Sequence, residues 1–156
     1  MAQFASMPEA ESTAHALIAS VVKDRFNHHV QNRNYVIMLT SGVDDGGKRA
    51  TLAFSAACSA RAMDLNTQVF RIGDGSHWAY EGSTDGIRQQ GFPALEDLVE
   101  SYMELGGQVF VCSACDNVCA LPMDERDRPL RKRAGIEARG LASILSYTVE
   151  GTSVTF

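Results

Sequence analysis

The sequence predicts an α/β protein: a three-layer α/β/α arrangement with a mostly parallel central sheet of about five strands, plus an extra N-terminal helix. Three observations carry that prediction. Tyr35-Val36-Ile37-Met38-Leu39-Thr40 is an unbroken run of the kind found in strands buried on both faces. Further strand-like runs, 67–72 and 108–112, alternate with stretches of helical spacing, which implies right-handed crossovers and a parallel sheet covered on both sides. A chain of 156 residues, 45% apolar and 21% charged, is large enough for a sizeable core and has an ordinary globular balance.

The elements follow in order. Ser6-Met7-Pro8-Glu9 combines a capping hydroxyl, an early proline and an acid in the first turn. Ala14, Leu17, Ile18, Val21, Val22 and Phe26 then keep helical spacing, so 8–30 is expected to be an amphipathic helix. Residues 1–33 are therefore read as a helical extension, and 34–156 as the main domain. After the strand at 35–40 comes a loop, Ser41 to Gly47, and an Ala-rich helix over 48–63 that contains Cys58, read as a small core residue. Thr67–Ile72 is the second strand, and Gly73 to Trp78 its exit loop. Phe92-Pro93 opens a helix with Leu95, Leu98, Val99, Tyr102 and Leu105 on one face, stopped by Gly106-Gly107. Gln108–Cys112 is the third strand. Ala134–Ala138 reads as a short fourth strand, 140–148 as a helix and Ser153–Phe156 as the last strand.

Charge and composition narrow the function. A net charge of −5 and a pI near 5.3 do not suit a sequence-independent grip on nucleic acid, which needs a basic face. No window approaches the ~20 apolar residues that span a bilayer. The stretch MAQFASMPEAESTAHALIAS carries acids where a secretion signal needs a basic flank and an apolar core. The expectation is a cytoplasmic protein, in which clustered thiols signal metal binding or catalysis more often than structural disulfides.

In parallel sheets, chemistry sits beyond the carboxyl ends of the strands. Three loops qualify: 41–47, 73–78 and 112–119. The third holds three of the four cysteines, in the spacing Cys112-x-x-Cys115-x-x-x-Cys119. If the chain turns helical after the strand, steps of three and four bring these thiols to one face. Cys112 then sits where a strand meets a helix N-terminus, a setting that favours the nucleophilic thiolate. Packing, a metal site, a thioredoxin-like dithiol and a sulfur-carrying cysteine all compete for this pattern. A metal site needs a fourth ligand, for which Cys58 and His77 are the available residues, and the second Cys-x-x-Cys knuckle of such sites is missing. No cofactor is expected.

His77 lies in the second exit loop and is a candidate base that pairs with Cys112. Its neighbour Trp78 suits packing over the sheet edge. Asp44 and Asp45 read as turn residues, although Gly46-Gly47 before a helix can also present N–H groups to an anion. Arg126, Arg128, Arg131, Lys132 and Arg133 read either as a solvated loop, partly neutralised by Asp124, Glu125 and Asp127, or as a docking surface for a small sulfur oxyanion or an acidic carrier.

Taken together, VIMLTSGVDDGGKRA, GFPALEDLVESYMELGGQVFVCSAC and GLASILSYTVEGTSVTF resemble the DsrE/DsrF-like family, small sulfur-relay proteins of the DsrE, TusD and YchN type. The resemblance covers about 34–156. It implies a three-layer fold, homotrimers or homohexamers, and cytoplasmic sulfur trafficking between donor and acceptor proteins or small sulfur compounds. It places the sulfur-accepting cysteine at the exit of the third strand, on Cys112. Cys115 and Cys119 have no counterpart in that pattern. The function these signals favour is a sulfur carrier or sulfurtransferase working through a Cys112 persulfide, with Cys115 or Cys119 resolving or sheltering it. The alternative is a thiol–disulfide redox or metal-binding protein built on the same three cysteines.

Overall fold

The computed structural model of the chain describes residues 34–118, 122–149 and 151–156. The helix expected over 8–30 lies outside the described residues. The strands are β1 (Asn34–Leu39), β2 (Asn66–Arg71), β3 (Gln108–Cys112), β4 (Ile136–Arg139) and β5 (Gly151–Thr155), in the sheet order β4-β3-β2-β1-β5. Every pairing is parallel. The central position of β1 and β3 explains their apolar character; β2, equally central, buries Thr67, Gln68 and Arg71 beside Val69 and Phe70, while the edge strand β5, GTSVT, carries only half-buried and exposed residues.

Alternation of side chains along each strand divides the core in two. Ile37, Leu39, Val69, Val109 and Val111 pack against α1 (Lys48–Ala62) and α2 (Leu95–Glu104). The alanines of α1 (Ala50, Ala53, Ala57) keep the helix close to the sheet, with Phe54 filling the space toward Tyr102. On the opposite face Val36, Phe70 and Phe110 meet Ile144 of α4 (Leu141–Val149). The buried Tyr102 hydroxyl donates to the Thr67 carbonyl at 2.7 Å, which ties α2 to the start of β2.

Several expected boundaries shift: the fourth strand runs Ile136–Arg139 rather than 134–138, and the last runs Gly151–Thr155 rather than 153–156. Helix α2 starts at Leu95 rather than at Phe92-Pro93, because Ala94 is extended and the Leu95 N–H is taken by the Ile87 carbonyl at 3.0 Å. Leu105 falls beyond the helix end and is 48% exposed, so the buried face comprises Leu95, Leu98, Val99 and Tyr102 only. The exit of β2, expected as a loop, is a 3-10 turn over Gly73–Ala79. Among the described residues, no helix is long and apolar enough to cross a membrane.

Candidate functional site

Strand β3 ends on Cys112 and a short helix, α3 (Ser113–Val118), follows at once. Cys112 is 2% exposed. Burial pushes its thiol pKa up, but hydrogen bonds from the Cys115 N–H, the Cys115 thiol and the Ala114 N–H outweigh that, and the net pKa lies below the ordinary thiol value. The strand-to-helix junction thus does what its sequence suggests: the first N–H groups of the turn converge on the sulfur.

Because β2 and β3 are parallel neighbours, their exits lie side by side. The Gly73 N–H, first in the β2 exit turn, donates to Cys115 Sγ at 3.1 Å. The two thiols and the 3-10 turn therefore form one connected unit. That turn lies against β1 through Gly75, whose N–H donates to the Thr40 and Ile72 carbonyls at 3.2 and 3.1 Å. A side chain at Gly75 would lie 2.0 Å from the Leu39 carbonyl oxygen.

The remaining predicted residues distribute as follows. Cys119 lies outside the described residues. His77 is half-buried and stands edge-on to Trp78, with ring centroids 5.0 Å apart. Burial lowers the His77 pKa, so the ring is neutral near pH 7. The groups that hydrogen-bond Cys112 come from Cys115 and Ala114. Trp78 is fully buried, and its indole N–H donates to the Ser41 carbonyl at 2.8 Å. Cys58 is half-buried against the core and faces the Leu98 carbonyl at 3.4 Å, and burial raises its pKa. It is chemically quieter than Cys112. Among the described residues, no group of three or more His, Cys, Asp and Glu is placed to hold a metal ion.

The anion reading of Gly46-Gly47 is corrected. The Asp45 carboxylate accepts from the N–H groups of Gly47, Lys48 and Arg49 at 3.0, 3.1 and 3.0 Å, so this helix start is already capped by the chain's own acid. Beside it a surface cavity of about 300 Å³ opens between Ser41, Asp45, Arg49 and Asp74. Its wall at Asp74 adjoins Gly73, the residue bonded to Cys115.

The charged stretch after the cysteines is not a uniform solvated loop. Arg128 folds onto Asp124 at the surface, 2.6 Å away. Lys132 and Arg133 instead turn inward. Lys132 pairs with Asp116 of α3, and the same carboxylate accepts from the Tyr80 hydroxyl at 2.9 Å. Arg133 holds both Glu96 oxygens, at 2.6 and 2.7 Å, and is joined there by Thr84. These contacts fasten α3, and with it Cys115, to the 3-10 turn region and α2. Sequence reasoning passed over Asp116, Tyr80, Glu96 and Arg71. The one visible signal was Arg71, a charge inside a strand otherwise fit for burial.

Cys115→Ala separates the backbone from the thiol as the source of Cys112 acidity. The Cys115 and Ala114 N–H groups remain while the thiol donor is lost, so the Cys112 pKa should rise. The pH midpoint of its alkylation should move upward, and an unchanged midpoint would show that the Cys115 thiol plays no part.

Comparison with known proteins agrees with this architecture. The DsrE/DsrF-like family model matches residues 33–156. An uncharacterised protein of Methanocaldococcus jannaschii is 33% identical over 76 residues, a stretch that is 49% of this chain but only 27% of that protein. Among solved structures, the YchN protein from E. coli superposes with a TM-score of 0.57 at 16% identity, covering 80% of this chain and 99% of that one. A conserved protein of unknown function from Bacteroides thetaiotaomicron gives 0.51 at 11% identity, covering 81% and 97%. These two likenesses concern the fold. With a family match across nearly the whole described chain, a parallel five-stranded sheet and a cysteine at the exit of its third strand, the protein belongs to the DsrE/DsrF-like family.

Proposed function

We propose that this protein is a sulfur carrier in which Cys112 takes up sulfane sulfur as a persulfide and relays it to a protein acceptor. One observation carries this reading: a thiol 2% exposed, yet held below its ordinary pKa by donors from Cys115 and Ala114. Packing alone needs no such donors, and a nucleophile does.

The chemistry balances without an external oxidant. The Cys112 thiolate attacks the terminal sulfur of a persulfide donor, the new S–S bond forms on Cys112, and the donor leaves as its thiolate. In the second half an acceptor thiolate attacks the outer sulfur and Cys112 leaves as thiolate. Low exposure suits the interval between the two steps, since bulk thiols are kept from the stored sulfur.

Incubation with a sulfane-sulfur donor, followed by intact-mass measurement, tests this directly. The chain should gain one sulfur atom, lost again on reduction. No gain, or an equal gain in Cys112→Ser, sinks the proposal.

The hydrogen-bonded Cys112–Cys115 pair favours one alternative, a thiol–disulfide function. There the Cys115 thiolate attacks the inner sulfur of the Cys112 persulfide, sulfide leaves, and a disulfide remains that a dithiol reductant must reopen. Release of sulfide without any acceptor protein distinguishes this outcome.

Assembly into a homotrimer or homohexamer in the cytoplasm belongs to the same proposal. Leu141, Leu145 and Val149, one turn apart on α4, are 56, 65 and 81% exposed. Such a stripe supports a subunit contact. Leu145→Glu should lower the solution mass measured by light scattering, and an unchanged mass in a parent that is already monomeric would discard it.

A further inference from the structure

We propose that Arg71, with Arg133 beside it, forms a buried receptor for one small inorganic oxyanion such as sulfate, which seats two oxygens on the Nε–Nη2 edge of the Arg71 guanidinium. Arg71 closes β2 between Leu39 of β1 and Val111 of β3, and is 0% exposed. Its Nη1 donates to the Trp78 carbonyl. Its Nε and Nη2 are buried without a hydrogen-bond partner, and so is Nε of Arg133.

Those two Arg71 nitrogens form the side-on fork of the guanidinium, two parallel N–H groups at the spacing of two oxygens on one central atom. A spherical anion satisfies such a fork less well. The surrounding charge favours an anion. Both Glu96 oxygens are engaged by Arg133 and Thr84, and Asp116 is engaged by Lys132 and Tyr80. Among the described residues no carboxylate pairs with Arg71. Glu96 thus pairs with Arg133 while Arg71, which feels the charge of Arg133, has no carboxylate of its own, an excess positive charge in a place where unpaired charge is costly. Natural interiors satisfy such groups. The inference does not depend on the sulfur-relay reading, because no Cys112 chemistry enters it.

The residues next to Trp78, whose carbonyl accepts from Arg71, also tie down the segment that carries Lys132. The Arg133 N–H donates to the Ala79 carbonyl at 2.9 Å, and Tyr80 and Lys132 form an antiparallel bridge. An oxyanion held between Arg71 and Arg133 therefore tightens the same contacts that fasten α3.

Titration calorimetry of sodium sulfate into the full chain, at fixed ionic strength in chloride buffer, should give a saturable isotherm with one site per chain. Arg71→Met, which replaces an unpaired buried charge by an apolar side chain, should abolish it. Arg71→Lys keeps the charge but not the fork, and should weaken binding about tenfold or more, the loss of one charge-assisted hydrogen bond. A parent with no saturable heat from sulfate, sulfite or thiosulfate overturns the proposal, as does an Arg71→Met chain that binds like the parent. Binding of chloride with no competition from sulfate overturns the choice of ligand. Should neither variant fold, amide hydrogen exchange of the parent decides: sulfate must slow exchange at residues 79–80 and 131–133, and protection confined elsewhere rejects the site.

Discussion

Serine in place of Cys112 should reduce sulfur loading from a sulfane donor to background while leaving the protein folded. A hydroxyl at this position is not ionised near neutral pH and does not attack sulfane sulfur, so the same N–H groups of Cys115 and Ala114 would have no thiolate to stabilise. The structural cost is modest. At 2% exposure the site has little contact with water, and exchanging sulfur for a more polar oxygen there costs ~1 kcal/mol. Cys112→Ala separates that packing effect from the chemistry, since it should lose sulfur uptake equally without burying a hydroxyl. The pH dependence gives a second check. A folded-state thiol pKa below the ordinary value means that thiolate persists to lower pH than in a free cysteine. Loading and alkylation of the parent should therefore hold up as pH falls through the range where an exposed thiol stops reacting. A profile that follows an ordinary exposed thiol would contradict the geometry around Cys112.

Gly75→Ala should be the most damaging single-methyl change in the described fold. The added carbon would stand 2.0 Å from the Leu39 oxygen, 2.6 Å from its carbonyl carbon and 3.1 Å from the Thr40 nitrogen. All three are backbone atoms at the end of a central strand, so no flexible side chain can yield. The turn must lift away, breaking the Gly75 hydrogen bonds to Thr40 and Ile72. It carries with it Gly73, which serves Cys115, and Trp78, whose carbonyl serves Arg71. Overpacking of this kind costs about 3 kcal/mol or more, a fall in Tm on the order of 10 °C for a domain of this size. Gly86 makes a fair control. It has φ +72 and nothing within 4 Å of an added carbon, so Gly86→Ala should cost only ~1 kcal/mol, from backbone strain. Denaturant titration of the two variants side by side tests the contrast, and equal stabilities would reject it.

Strands β1 and β3 and helices α1 and α2 were legible because burial on both faces demands apolar strands, and a helix packed on one side demands apolar residues at helical spacing, whereas β2, with buried Thr67, Gln68 and Arg71, was legible from Val69-Phe70 and its place in the alternation. The parallel order followed from strand–helix alternation, and the position of Cys112 from the end of an apolar run. The 3-10 turn after β2 was not legible. Its conformation depends on contacts with β1, which lies more than thirty residues earlier in the chain. The inward turn of Lys132 and Arg133 was equally hidden, because Asp116 and Glu96 are remote in sequence and a run of charges reads the same whether it is solvated or pinned.

By itself, then, the sequence determined the layers, the strands at the centre of the sheet and the thiol at its carboxyl edge, since all three depend on local pattern and on the burial that pattern requires. Only the tertiary structure decided which donors act on that thiol, that Asp45 already occupies the start of α1, and that Arg71 ends up enclosed with two nitrogens unmet. Hydrogen bonds and ion pairs form between residues that the sheet order brings side by side, and that proximity is absent from the order of residues along the chain.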